Sequence, residues 1–148
     1  YVVTGFNYRM TDIQAAIGIE QLKKLPRMIE SRREIDKLYR GYLQDIKWLQ
    51  LPKEPVFAKT NWQSYPMRVL QGAPISRNEL MQYLLDGEVA TRPGIMNAHQ
   101  ESPYANSAFD LTESEQARKE VILLPVFHDL KEDDICKIAE LIKKKCQH

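Results

Sequence analysis

Residues 5–25, GFNYRMTDIQAAIGIEQLKKL, decide how this chain is read. Thr11 followed three residues later by Gln14 matches a capping box, in which hydroxyl and amide satisfy the exposed N–H groups of a first helical turn. Beyond it, apolar residues recur at Ile13, Ile17, Leu22, Leu25, Ile29, Ile35, Tyr39, Tyr42, Leu43 and Ile46, mostly three or four apart, which is helical periodicity. Pro26 lacks an N–H and crowds the preceding turn. The pattern therefore predicts a pair of helices, about 11–24 and about 27–46, separated by a kink or break.

In front of the cap stand an amide, a phenol and a guanidinium: Asn7, Tyr8 and Arg9. A helix N-terminus carries free N–H groups and the positive end of the dipole, and both favour anions. Arginine adds a bidentate donor for phosphate or carboxylate, asparagine a neutral donor, and tyrosine an aromatic wall. Such a cluster reads as a phosphate-binding mouth. The plainer reading is a capped helix with an incidental surface arginine.

Downstream, residues 50–62 hold two prolines and read as an extended connector, with SYPMRVL (64–70) a strand and QGAP its turn. Ser76 caps RNELMQYLLDGE, whose Leu80, Met81, Leu84 and Leu85 face inward, and Gly87 ends it. VATRPGIM (89–96) is extended, SEQARKE helical, VILLPVF a short buried strand, and KEDDICKIAELIKKK a final amphipathic helix with acids first and lysines last. Trp48, Trp62, Phe57 and Phe109 read as core or interface residues. The expected architecture is α/β: a small sheet covered by helices, entered by the long N-terminal helix pair.

A second polar cluster, Arg92, Asn97, His99, Glu101 and Tyr104, falls in the irregular segment after the 89–96 strand, where ligand-contacting loops commonly lie. His99 can donate to a ligand oxygen or move a proton, or it can be a structural hydrogen-bond partner. His128 falls in a turn and is assigned no chemistry.

At 148 residues the chain suits one domain, and its net charge of +1 provides no long-range field for nucleic acid or anionic membrane. Cys136 and Cys146 are too few and too far apart for a disulfide framework or a zinc site, pointing to a reduced, cytoplasmic protein. No metal site, signal peptide or membrane-length apolar run is read. Dinucleotide, P-loop, metalloprotease and nucleophile-elbow motifs are all missing from the sequence. It opens mid-phrase without an initiator Met, as expected of a piece of a longer polypeptide.

The string GFNYRMTDIQAAIGIEQLKKLPRMIESRREIDKLY resembles the entry into the C-terminal domain of the DegT/StrS-type sugar aminotransferases, fold-type-I enzymes dependent on pyridoxal phosphate. RNELMQYLLDGEVATRP, HQESPY and VILLPVFHDLKEDDICKI continue the resemblance in order, over essentially the whole chain. It implies the following. The cofactor is held as a Schiff base by a lysine of a large N-terminal domain, which this chain lacks, and the site lies at a homodimer interface. Asn7 reaches the cofactor phosphate of the neighbouring subunit, Arg9 the diphosphate of a nucleotide-sugar substrate, and His99 the sugar or cofactor. Arg92 and Tyr8 are further substrate contacts. No lysine here has the context of the Schiff-base lysine, so the fragment alone is expected to be inactive. The run PGIMNAH departs from the aromatic that many members carry there, leaving the sugar open. A sugar dehydratase of the same family, with histidine for the upstream lysine, is the near alternative. A non-catalytic ligand-binding or dimerisation module is the distant one.

Overall fold

A computed structural model describes residues 5, 6, 8–104 and 110–145. Asn7, Phe109, Cys146 and His148 lie outside the described residues.

The chain opens with one continuous helix, α1 (Asp12–Leu43), rather than the expected pair. Pro26 sits inside it. The bond Pro26 cannot donate would end on the carbonyl of Leu22, which is 65% exposed, so water can take the orphaned acceptor and the helix continues through. The capping box is present: Thr11 Oγ1 accepts the Gln14 N–H at 3.3 Å and Gln14 Oε1 accepts the Thr11 N–H at 3.0 Å.

The periodic apolar residues of α1 turn inward in its second half only. Ile35, Tyr39 and Leu43 are buried, each side chain contributing about 1.5–3 kcal/mol of transfer free energy. Ile13, Ile17, Ile19, Leu22 and Leu25 are exposed, as are Phe6, Tyr8 and Met10 before them. The first half of the helix extends beyond the core.

Among the described residues, four antiparallel strands form the sheet, in the order β1–β2–β4–β3: β1 (Leu49–Gln50), β2 (Tyr65–Val69), β3 (Arg92–Pro93) and β4 (Val121–Leu124). β2 pairs with β4 in the register Tyr65↔Leu124 and Met67↔Ile122. Tyr65, Met67 and Val69 point inward with period 2, as half-buried strands demand. Of the expected connector 50–62, residues 51–62 are largely irregular, but Gln50 belongs to β1, which pairs Leu49 with Val69 and Gln50 with Arg68, a strand too short to leave a pattern.

α2 (Arg77–Asp86) and α4 (Glu132–Lys144) pack with the end of α1 to close the core through Leu80, Leu84, Ile135, Ile138, Ala139 and Ile142. α3 (Thr112–Glu120) has no buried residues and is tied to β2 where Glu120 pairs with Arg68. Ser76 caps α2 as expected. Gly87 ends it as expected, at the C-cap with φ −86°, while the left-handed residue is the next one, Glu88, φ 65°. The Glu88 N–H donates to Leu85 O and the Val89 N–H to Leu84 O, the paired bonds of a Schellman motif. Gly87 answers to packing instead, since a Cβ there would lie 2.8 Å from Leu141 Cδ1.

Trp62 is buried and Trp48 packs against the core, while Phe57 is 89% exposed and keeps only the interface half of its reading. Among the described residues no helix is long and apolar enough to cross a membrane, and no His, Cys, Asp and Glu cluster could hold a metal ion.

Candidate functional site

The structure places the sequence-derived candidates in two groups. The first is the mouth of α1. Tyr8 is 87% exposed, with its ring 6.1 Å from that of Phe6, and Arg9 is exposed two residues before the Thr11 cap. The capping pair uses the N–H groups of Thr11 and Gln14. That leaves the first-turn N–H groups of Asp12 and Ile13 outside the capping pair, three and four residues after the exposed Arg9, and such N-terminal donors favour an anionic oxygen. Asp12 offsets part of that attraction. The phosphate end of a pyridoxal cofactor, or a diphosphate, fits donors of this kind.

The second group is the loop after β3. Arg92 lies on β3, an edge strand, exposed and in register with Leu123. Two single turns of 3₁₀ helix follow, Ala98–Gln100 and Ser102–Tyr104. Ile95, Met96, Asn97, Ala98, His99, Tyr104, Leu111 and Ser114 line an open cleft of about 540 Å³. Its walls are largely apolar and His99 is its one ring with two hydrogen-bonding nitrogens. Among the described residues, neither Arg92 nor Tyr8 and Arg9 of the α1 mouth belong to that lining.

Asn97, grouped with the polar ligand-facing residues in the sequence, is 4% exposed and serves the backbone. Its Nδ2 donates to Ser114 O at 3.2 Å and to Gln100 Oε1 at 3.3 Å. His99 is only 11% exposed in its side chain, with Nε2 3.1 Å from Glu115 Oε1. Arg118 Nη1 donates to Gln100 Oε1 at 2.6 Å. Glu115 and Arg118 were missed in the sequence, where SEQARKE reads only as a helix; their spacing of three on α3 is the one signal it carried.

These elements belong to a known class. The DegT/DnrJ/EryC1/StrS aminotransferase family profile matches residues 1–143, and the chain belongs to that family, whose aminotransferases depend on pyridoxal phosphate. GDP-perosamine synthase of Vibrio cholerae is 30% identical over 148 residues, covering 95% of this chain and 39% of that protein. The aminotransferase TlmJ from Streptoalloteichus hindustanus superimposes with a TM-score of 0.85 at 26% identity, over 98% of this chain and 39% of that one. An E. coli GDP-4-keto-6-deoxy-D-mannose-3-dehydratase with bound hydrated PLP shares the fold at 23% identity and TM-score 0.82, over 95% of this chain and 37% of that one. This chain thus spans under two-fifths of the length of the proteins it matches.

Proposed function

We propose that this chain is the C-terminal domain of a pyridoxal-phosphate-dependent aminotransferase that moves an amino group from an amino acid, glutamate, to a keto-sugar nucleotide in polysaccharide or secondary-metabolite biosynthesis. The observation carrying this reading is the exposed Tyr8–Arg9 cluster at the capped mouth of α1, on a chain belonging to this family. In this reading the pyridoxal group, carried by a lysine of the large N-terminal domain, supplies the electron sink that lets an amino group leave its donor. This chain's residues bind and orient. Asn7 holds the phosphate of the partner subunit's cofactor, and Arg9 grips the substrate diphosphate with help from the helix dipole. Tyr8 and Arg92 contact substrate, and His99 meets the sugar across the apolar cleft.

The exposed apolar run from Phe6 to Leu25 supports the partners this reading needs, the large domain and a second copy in a cytoplasmic homodimer. In this reading the catalytic lysine belongs to the large N-terminal domain, so these 148 residues by themselves are inactive.

The test is incubation of the intact protein with glutamate and dTDP- or GDP-linked 4-keto-6-deoxyhexoses, followed by mass spectrometry. An amino sugar and 2-oxoglutarate are expected. Arg9→Ala should raise the sugar KM about tenfold or more, the worth of a charge-assisted hydrogen bond. Asn7→Ala should weaken retention of pyridoxal phosphate. Loss of a sugar hydroxyl without gain of nitrogen would instead favour a dehydratase of the same family. No change in either sugar would leave a non-catalytic binding module.

A further inference from the structure

A ring that meets a ligand must be held in one orientation and present one defined nitrogen. His99 is gripped from one side. The Glu115 carboxylate has only acceptor oxygens, so the 3.1 Å contact makes Nε2 the nitrogen carrying the hydrogen. Among the described residues Nδ1 has no hydrogen-bond partner. Around the ring, the loop is stitched to the same helix twice more, through Asn97 to Ser114 O and Gln100 to Arg118. The helix is in turn tied back to α2, because Arg77 Nη2 donates to Arg118 O at 2.8 Å.

We propose that Glu115 is a positioning residue. It fixes His99 in the Nε2–H tautomer and turns Nδ1, as an acceptor, to a hydroxyl of a sugar ring seated against Met96, Tyr104 and Leu111. This rests on the reading of His99 as a substrate contact. α3, none of whose residues is fully buried, thereby has a function in the site: its half-buried Glu115 carboxylate sets the chemistry of a loop 16 residues upstream.

Two measurements test this. In the chain labelled with ¹⁵N-histidine, wild type and Glu115→Gln should show a slowly exchanging Nε2–H of His99, which Glu115→Ala should lose. Absence of that proton in wild type overturns the clamp. In the intact protein, the glutamate half-reaction is followed by cofactor absorbance and the sugar half-reaction with dTDP- and GDP-linked 4-keto-6-deoxyhexoses. Glu115→Ala should raise the sugar KM about tenfold with kcat within about threefold, leave the glutamate half-reaction unchanged, and be rescued by Glu115→Gln. Equal losses in both half-reactions, or the same KM change from Arg118→Ala, which leaves the ring's partner in place, would reduce Glu115 to a scaffold and overturn the positioning role. A wild-type protein that keeps the slow proton but turns over neither sugar overturns the sugar reading, and with it the role of Glu115. The proton separates that result from a clamp that never formed.

Discussion

Gly94 occupies a position where a single methyl group has no room. It follows the two-residue strand β3, and its N–H donates to Val121 O at 3.1 Å. A Cβ there would stand 2.8 Å from the Cβ of Val121 and closer still to its Cγ1. Val121 is 5% exposed and branched at Cβ, so it has little freedom to turn aside. Gly94→Ala should destabilise the fold by about 1–3 kcal/mol, the usual cost of overpacking. Val121→Ala should recover part of that loss in the double mutant, checked by denaturant unfolding of all four chains. The contact matters for the site because the 95–104 loop departs from this glycine.

Between elements, the clearest polar clasp joins α1 to the connector after β1. Arg33 forms a fork on Glu54, at 2.9 and 3.1 Å, and reaches Thr60 O at 2.7 Å, while Glu54 also accepts the Thr60 N–H at 2.8 Å. The Arg33 hydrogen bond first, and the Thr60 N–H second, hold the Glu54 carboxyl below its ordinary value. A carboxyl lowered by folding stabilises the native state fully above its unfolded pKa, and that contribution is lost as pH falls through the lower folded value. Glu54→Gln should therefore lower Tm at neutral pH and flatten the fall of stability on acidification below about pH 4.3, the ordinary glutamate value, in a pH series of thermal melts. Elsewhere, the same clasp logic was only half readable. Capping boxes at Thr11 and Ser76 are local, three residues wide, and visible in the sequence. The Glu54–Arg33 and Glu115–His99 pairs join separate elements, and nothing local marks them.

Across the whole molecule, stability is concentrated at one end. Leu43 is fully buried in the core, whereas Ile17, on the same helix, is 58% exposed. Leu43→Ala should cost about 2–5 kcal/mol by emptying a packed site. Ile17→Ala should change the stability of this chain by no more than about 0.5 kcal/mol, although its periodic position in the sequence is equally good. Both values follow from urea unfolding of the 148-residue chain. Helical and strand periodicities, caps and turn residues were legible from residue order alone, because each depends on neighbours within a turn or a pleat. So was the polar cluster at the α1 mouth. Three features depended on distant neighbours: the passage of α1 through Pro26, the division of its apolar stripe into buried and exposed halves, and the commitment of His99 to Glu115. Each is settled by what packs, or does not pack, against the residue concerned, and that information lies in contacts between residues far apart in the chain.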